Sequence, residues 1–410
     1  MKSAIVLGAG MVGVSTALAL VDRGWQVALV DRKAPGQETS FGNAGIIQAE
    51  AVEPYAMPRS IGDLLDIALG RTNDVHYALS ELPYHFSALI KYWWYSESGR
   101  HRQISASWAK LISQATRTHQ ALIDRAGADN LVRRAGFRVL LRSRADFERE
   151  AADARRKHEV YGVGYRLLSP EEFAAEEPAL KAGGAGGVHW TDAWTVSDPG
   201  GLVAAYAALF EREGGRLLAG DAETLKREGR GWSVETSDGR IEAETAVLAV
   251  GPWSSEVTRR YGHAFPMVYK RGYHAHYRSP QPLNGPVMDA DNGYLLLPMR
   301  LGTRITTGAH LARQTTPPSY AQLERAEARA REIYDLGPRI EARPWHGTRP
   351  CMPDMLPVIG LSHKVPGLWL NFGHGHQGFT LGPASGEVIA RMMSGEAPDL
   401  DMTPFRPERY

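Results

Sequence analysis

Short apolar runs alternate with longer amphipathic stretches along much of the chain, a pattern typical of a mixed α/β protein. Residues 4–7 predict a buried strand, residues 14–23 predict a helix that Gly24 ends, and residues 26–30 predict a second strand. Residues 246–250 are fully apolar, as expected of a parallel strand that is covered on both faces. The strand–helix–strand order at the start predicts a βαβ unit.

Residues 60–130 show the 3.6-residue apolar period of helices, whereas residues 265–310 are mostly strand-like. Further elements are predicted at 137–141 (strand), 145–161 (helix), 170 onward (helix capped by Ser169), 198–213 (helix), 216–219 (strand), 232–243 (hairpin), 319–335 (helix), 368–372 (strand) and 382–394 (helix). An α/β start and end around a β-rich middle predicts that one domain is built from separated segments.

The turn of the first unit is Gly8-Ala9-Gly10-Met11-Val12-Gly13, a G-x-G-x-x-G motif, and Asp31 closes the second strand. In this frame Gly8 permits the tight turn, Gly10 lets a pyrophosphate approach the backbone, and Gly13 lets helix and strand pack closely. The helix N-terminus offers free N–H groups to phosphates, and Asp31 can accept hydrogen bonds from ribose hydroxyls. The frame therefore predicts a bound dinucleotide.

Composition narrows the class of protein. The 410 residues exceed one ordinary domain, and a net charge of +1 with mixed signs argues against a nucleic-acid partner. The single cysteine, Cys351, excludes an intramolecular disulfide and fits a reducing compartment. Because we find neither a secretory signal nor an apolar run of membrane-spanning length, we expect a cytoplasmic protein, or one bound peripherally to the inner face of a bacterial membrane.

Several segments, in order along the chain, resemble the FAD-dependent D-amino-acid oxidase superfamily. They are residues 8–31, 40–45, 249–254, 349–360 and 371–384. The match is closest to the bacterial D-amino-acid dehydrogenases, which share the Thr-Ser-Phe-x-Asn-Ala-Gly stretch found here at residues 39–45. The resemblance implies a discontinuous α/β FAD-binding Rossmann-like domain plus a β-rich α+β substrate domain.

We place the FAD-binding domain at residues 1–59, 150–255 and 340–410, and the substrate-binding domain at residues 60–149 and 256–339. The resemblance selects FAD as the cofactor and implies oxidative deamination of a small D-amino acid or a related imino or secondary amino acid, with hydride passing from the substrate carbon to flavin N5. A quinone or another acceptor is expected to reoxidise the flavin. Two alternatives stay open: an oxidase of the glycine or sarcosine type, and a flavin-binding subunit of a multi-subunit amine dehydrogenase.

The cofactor-binding residues expected from the motif and the resemblance come from the first βαβ unit and from residues 40–46, 222–253 and 375–380. They are Gly8, Ala9, Gly10, Met11, Val12, Gly13, Asp31, Arg32, Ser40, Asn43, Ala44, Gly45, Ile46, Ala222, Gly251, Trp253, Gly375, Gln377, Gly378, Phe379 and Thr380.

For the substrate, an arginine in the matching Arg-Pro segment of similar oxidases takes the carboxylate, which implies this role for Arg349; a structural salt bridge is the alternative. Tyr273, Tyr294 and His376 are further candidate substrate contacts, although each could simply be packed. The histidines lack the spacing of a metal site, so no metal is expected. A covalent flavin link through Cys351 is disfavoured.

Residues 84–95 are dense in aromatic side chains. Such a helix could rest on a membrane surface, where enzymes of this kind meet quinones, or it could pack into the substrate domain. Both interpretations are open from the sequence.

Overall fold

The computed structural model describes residues 2–68, 73, 75–181 and 184–410. Residues 69–72 and 74, inside the predicted helical stretch, lie outside the described residues. The α-helices are α1 Met11–Val21, α2 Ile61–Ala68, α3 Leu82–Tyr95, α4 Ser98–Ile112, α5 Ala115–Ala126, α6 Arg144–Tyr161, α7 Pro170–Glu176, α8 Pro199–Arg212, α9 Ser254–Arg259, α10 Ala321–Ile333 and α11 Gly378–Ser394. Within the described residues, every helix is too short or too polar to cross a bilayer.

The strands are β1 Ser3–Leu7, β2 Gln26–Asp31, β3 Ile46–Ile47, β4 Val75–Tyr77, β5 Val132–Arg133, β6 Phe137–Leu141, β7 Tyr165–Leu168, β8 Gly186–Trp190, β9 Trp194–Val196, β10 Arg216–Ala219, β11 Lys226–Glu228, β12 Gly231–Thr236, β13 Gly239–Ala243, β14 Thr245–Leu248, β15 Val268–Tyr277, β16 Val287–Asp289, β17 Tyr294–Met299, β18 Gly302–Thr307, β19 Ala309–Leu311, β20 Trp345–Cys351, β21 Val358–Leu361 and β22 Leu368–Phe372. Short 3₁₀ turns lie at Leu79–Glu81, Asp129–Leu131, Ala222–Thr224, Gly251–Trp253, Gly375–Gln377, Thr403–Phe405 and Pro407–Arg409.

The first sheet has the order β10-β2-β1-β14-β22-β21, and all its pairings are parallel except β21 with β22. Successive side chains of β1 point to opposite faces of the sheet, and both faces are covered. Ala4 and Val6 pack with residues of α1, α8 and α11, whereas Ile5 and Leu7 pack toward the small sheet β11-β12-β13. This arrangement explains why the central strands are apolar throughout.

The second large sheet runs β4-β19-β15-β18-β17-β16-β6-β8-β7, with β20 paired to β15. Helix α10 covers one face, where Leu323 and Ala326 pack with Tyr273, Tyr294 and other buried residues. The opposite face of β15 and β20 is turned toward the first sheet. The long strand β15 therefore separates a closed core from the space between the two sheets.

Three strands fall in segments that we assigned to the FAD-binding domain but pair with strands of the second large sheet. Strands β7 and β8 lie in the second large sheet beside β6, although they fall inside the 150–255 segment. Strand β20, inside the 340–410 segment, pairs with β15 in the same sheet. The cause is antiparallel pairing with neighbours distant in sequence, which apolar periodicity does not reveal. The division into two domains stays a prediction.

Helix α11 begins at Gly378, four residues before the predicted start at residue 382, and it contains Pro383. A proline inside a helix leaves the carbonyl four residues earlier without its N–H donor. Here that carbonyl, on Phe379, accepts a hydrogen bond from His119 Nε2 of α5 at 3.0 Å. The side chain of His119 thus replaces the missing backbone bond, a contact invisible in the local sequence.

Candidate functional site

A cavity of about 1000 Å³ lies between the two large sheets. One wall is formed where the parallel strands end, at Gly8 after β1, Asp31 at the end of β2 and Gly251 after β14. The opposite wall comes from β15 and β20 of the second sheet. Ligands of open α/β sheets bind at the carboxyl ends of the strands, so the cavity has the position expected of a nucleotide site.

The three glycines of the first turn have distinct surroundings. A Cβ on Gly8, at φ +104°, would lie 2.5 Å from the Ala249 carbonyl oxygen, and one on Gly13 would lie 1.7 Å from the Gly8 carbonyl oxygen. A Cβ on Gly10 would meet only Ser40 Oγ, at 3.3 Å, and Gly10 lines the cavity. Gly8 and Gly13 are therefore needed for packing, whereas Gly10 keeps space free at the N-terminus of α1.

Asp31 is held by two backbone donors. Its Oδ2 accepts from Ala9 N–H at 2.6 Å, and its Oδ1 accepts from Lys33 N–H at 3.0 Å. Beside it, the Arg32 guanidinium lies 4.4 Å from the centre of the Trp253 ring and pairs with Glu38 at 3.1 Å. The carboxylate keeps further lone pairs for a hydroxyl donor, because a carboxylate can accept about four hydrogen bonds.

The stretch around residues 40–46 borders the same cavity. Ser40 Oγ accepts from the Met11 N–H at 3.1 Å, and Asn43 Oδ1 accepts from the Gly45 N–H at 2.8 Å. Gly45 has φ +65°, and a Cβ there would lie 2.3 Å from the Val196 carbonyl oxygen. Gly45 thus packs against β9 and does not itself line the cavity, whereas Asn43, Ala44 and Ile46 do.

The N-terminus of α11 reaches the cavity through Gly375, Gly378 and Phe379. Gln377 and Thr380 lie one layer behind it: Gln377 Nε2 donates to Gln48 Oε1 at 2.8 Å, and Thr380 Oγ1 accepts from the Gln48 N–H at 3.2 Å. Two helix N-termini, those of α1 and α11, therefore border one cavity. Both favour negative charge, because the helix dipole is positive at this end.

Of the predicted cofactor residues, most line the cavity. They are Gly8, Gly10, Met11, Val12, Asp31, Arg32, Ser40, Asn43, Ala44, Ile46, Ala222, Gly251, Trp253, Gly375, Gly378 and Phe379. Ala9, Gly13, Gly45, Gln377 and Thr380 stand behind this lining.

Arg349 lies on β20 in the cavity wall and is partly buried. Its guanidinium donates to the Gly308 carbonyl at 2.7 Å and to the Thr307 carbonyl at 3.1 Å. Among the described side chains, no carboxylate forms an ion pair with it. Burial lowers the pKa of Arg349, but a guanidinium remains charged at neutral pH. A structural salt bridge thus does not explain this cation within the described part of the chain.

His376 also lines the cavity, with its ring 5.0 Å from that of Tyr55. Burial, with smaller effects of Arg349 and Lys270, lowers the pKa of His376 to about 3. The imidazole is therefore neutral at physiological pH. It can donate or accept a hydrogen bond but cannot supply a positive charge.

Tyr273 and Tyr294 do not reach the cavity, which corrects the expectation that they contact substrate. Tyr273 is buried under α10, where its hydroxyl bonds His310 Nδ1 at 2.7 Å. Tyr294 is fully buried in the same core, and burial and Asp289 raise its pKa. The reason is strand alternation: Lys270 and Gly272 face the cavity from β15, so Tyr273 faces the core.

Lys270 also lines the cavity; the sequence Lys270-Arg271-Gly272 is similar to a basic-Gly element of related enzymes, with a solvated pair as the alternative. Its Nζ donates to the Tyr92 hydroxyl at 3.3 Å and lies 4.4 Å from the centre of that ring. Its neighbour Arg271 is turned to the other face, where it donates to the carbonyls of Arg313 and Thr316 at 2.7 and 2.8 Å. The pairing of β15 with β20 would have distinguished the two, but it is not visible in the sequence.

His274, His276 and Glu341 bring possible metal-ligand atoms within 4.8 Å of one another. However, His276 Nε2 accepts a hydrogen bond from Arg304 Nε at 2.9 Å, and His276 Nδ1 bonds Glu341. The guanidinium of Arg304 already supplies the positive charge at this cluster, and it is nine-tenths or more buried. These contacts favour a structural role.

Comparison with known proteins gives consistent results. A model of the family described as FAD dependent oxidoreductase matches residues 3–392. The chain is 29% identical to D-amino-acid oxidase of Bradyrhizobium diazoefficiens, over 99% of this chain and 98% of that protein. It is 31% identical to D-amino acid dehydrogenase of Cereibacter sphaeroides, over 99% and 95%. The crystal structure of glycine oxidase from Geobacillus kaustophilus superposes with a TM-score of 0.74 at 22% identity, covering all of both chains. The predicted fold class is thereby confirmed.

Proposed function

The chain belongs to the FAD dependent oxidoreductase family, and from this premise we propose that it oxidises a small D-amino acid or a related imino or secondary amino acid. The predicted family and the predicted cofactor, FAD, are confirmed. One observation carries the substrate proposal: Arg349, a partly buried cation without a carboxylate partner among the described residues, faces the cavity in which the cofactor motif lies. A planar guanidinium binds a carboxylate through two parallel charge-assisted bonds.

The surroundings of the cavity fit FAD. The N-terminus of α1 and the space kept at Gly10 suit the pyrophosphate, and Asp31 suits the ribose hydroxyls. The N-terminus of α11, at Gly378, would favour negative charge on the flavin ring. FAD supplies the hydride acceptor of the reaction, and the chain supplies binding, orientation and electrostatics.

The residues of the chain would orient the substrate and exclude water. Arg349 fixes the carboxylate, and neutral His376 offers a hydrogen bond nearby. Apolar side chains from residues 54–92, among them Leu64, Leu82 and Leu89, cover the cavity from the outside. Fixing the carboxylate reduces the freedom of the substrate, and such positioning lowers the barrier of the following step.

The test is a panel of D-amino acids, N-methyl amino acids and cyclic imino acids, assayed both with an artificial dye and with oxygen. We expect turnover of one or more D-amino or imino acids with the dye. Peroxide formed at the rate of dye reduction would favour an oxidase of the glycine or sarcosine type. Bound FAD without turnover of any compound would contradict the proposal and favour a flavin-binding subunit.

We also propose that α3 contacts a membrane surface and that a quinone accepts the electrons. Phe86, Ile90 and Trp94 lie one helical turn or two apart and are 63%, 51% and 53% exposed. The guanidinium of Arg100 stacks over Trp94 at 3.7 Å and pairs with Glu97 at 3.5 Å, so a cation that is partly neutralised by Glu97 borders the apolar face. Tyr92, on the inner face of the same helix, lines the cavity. An apolar face bordered by cations is typical of helices that bind anionic lipid surfaces.

Sedimentation with vesicles tests the membrane proposal. We expect the protein to bind vesicles rich in anionic lipid, and the variant Phe86→Ser/Trp94→Ser to lose most of this binding. Val160→Ser is the matched control, because Val160 is 61% exposed on α6, outside this face. Equal sedimentation of all three proteins would refute the contact. Reoxidation of reduced enzyme faster by oxygen than by a soluble quinone would refute the acceptor.

A further inference from the structure

The charges that line the cavity are separated into two ends. The lining carboxylates Asp31, Glu38, Asp221 and Glu223 lie at the end of β2 or after β2 and β10. One lining cation, Arg32, lies among them and pairs with Glu38, so this end stays acidic. The opposite end, on β15 and β20, carries Lys270 and Arg349, and it has no lining carboxylate among the described residues. The cavity thus has an acidic end at the proposed ribose site and a basic end at the proposed substrate site.

Lys270 and Arg349 are direct partners in the antiparallel pairing of β15 and β20. Their side chains therefore emerge side by side on one face of the sheet. The Arg349 guanidinium lies against Gly272, where a Cβ would be 2.7 Å from Nη2, and it bonds the Gly308 carbonyl. The Lys270 ammonium instead lies against Tyr92 of α3. The two residues thus occupy neighbouring backbone positions, but their charged groups contact different parts of the same cavity wall.

One carboxylate neutralises only one of these cations. Arg349 has carbonyl acceptors, and Lys270 has a neutral hydroxyl and an aromatic ring, but neither has an anionic partner among the described side chains. Burial is the main cause of the low pKa of His376, and the charges of Arg349 and Lys270 lower it further. A partly buried cation is stabilised by an opposite charge, and the space beside Lys270 is open to the cavity.

Resting on the proposed function, we infer that the substrate carries two carboxylates: an acidic D-amino acid or an imino dicarboxylate. Arg349 binds the carboxylate next to the reacting carbon, and Lys270 binds the second one. The reaction is unchanged, since the second carboxylate only binds. Tyr92 positions the ammonium, because its hydroxyl accepts from Lys270 and donates to the Tyr55 carbonyl at 2.5 Å.

Binding of unreactive acids to the holoenzyme tests the inference without turnover. Succinate and butyrate have the same chain length and differ by one carboxylate, and each is titrated by its perturbation of the flavin spectrum. We expect succinate to bind about tenfold to a hundredfold more tightly than butyrate, the value of one charge-assisted hydrogen bond. Lys270→Met should abolish this preference, and Lys270→Arg should keep most of it. Lys226→Met, which removes an exposed lysine on β11, is the matched control.

Kinetics with D-glutamate and D-norvaline provide a second readout. Lys270→Met should lower kcat/KM for D-glutamate at least about tenfold more than for D-norvaline. An unchanged succinate preference in Lys270→Met, or no preference in the wild type, would overturn the inference. If neutral amino acids reduce the flavin and succinate binds no better than butyrate, only this inference fails. If succinate is preferred but no amine reduces the flavin, the proposed function fails and the two-cation site stands.

Discussion

Arg349→Ala is the substitution whose effect the structure constrains most. The guanidinium has five N–H donors, and two carbonyls, those of Gly308 and Thr307, take one each. The remaining donors suffice for a bidentate carboxylate pair. Alanine removes this pair and leaves the substrate carboxylate in a partly buried site without a countercharge.

The expected loss follows from these contacts. Two charge-assisted hydrogen bonds are worth about 1.5–3 kcal/mol each. Because Arg349 is only partly buried, water takes over some of the lost interaction. A loss of about 2–5 kcal/mol is the range found for one partner of a buried charge pair. It corresponds to a decrease of about thirtyfold to several thousandfold in kcat/KM. Arg349→Lys should recover only part, since an ammonium cannot form two parallel bonds.

The assay is anaerobic flavin reduction by stopped flow, with flavin content and thermal unfolding measured to confirm that the variant is folded. Arg133→Ala is the matched control: Arg133 is exposed and also donates to a carbonyl, that of Asn284, at 3.0 Å. An amine without a carboxylate, if it reacts, should lose nothing in Arg349→Ala. Reduction of amino acids by Arg349→Ala at the wild-type rate would refute the reasoning and assign the carboxylate to another cation, such as Lys270.

Three further predictions concern the cofactor and the fold. Gly10→Val should give a folded but colourless protein, because the side chain fills the space kept for the pyrophosphate while its Cβ meets only Ser40; flavin content after purification decides this. Asp31→Ala should raise the Kd for FAD by about tenfold or more, the value of one charge-assisted hydrogen bond, in a fluorescence titration. Burial lowers the pKa of His119 to about 4 from 6.5, so the contribution of this group to the free energy of unfolding is constant well above pH 6.5 and decreases as the pH drops toward 4. Between pH 7 and pH 5, the free energy of unfolding of the wild type should therefore decrease by about 2 kcal/mol more than that of His119→Gln. Urea denaturation at the two pH values measures this difference.

The sequence predicted what local spacing determines. The positions of Gly8, Gly10 and Gly13 specify the first turn, and their different surroundings agree with the roles expected from the motif. Apolar runs located the central parallel strands because strands covered on both faces are apolar throughout. Ser169 was expected to cap the helix that starts at Pro170, and the structure shows a full capping box there.

Features that depend on contacts between distant segments were not predictable. The face on which Tyr273 and Lys270 lie depends on the phase of β15 relative to the cavity, and a shift of one residue would exchange them. The first turn of α11 includes the Phe379 carbonyl, which Pro383 leaves without its backbone donor, and the bond that replaces it comes from His119, more than two hundred residues away. In both cases the deciding partner comes from another part of the chain.

Anaerobic titration of the holoenzyme tests the central claim most directly. The yellow, FAD-containing protein is mixed in the absence of oxygen with D-amino acids, the matching L-enantiomers and cyclic imino acids, and its visible flavin absorption is followed. We predict that one or more D-amino or imino acids bleach the flavin completely, with one oxidised product formed per flavin reduced. Flavin that stays oxidised with every compound of the series would contradict the account.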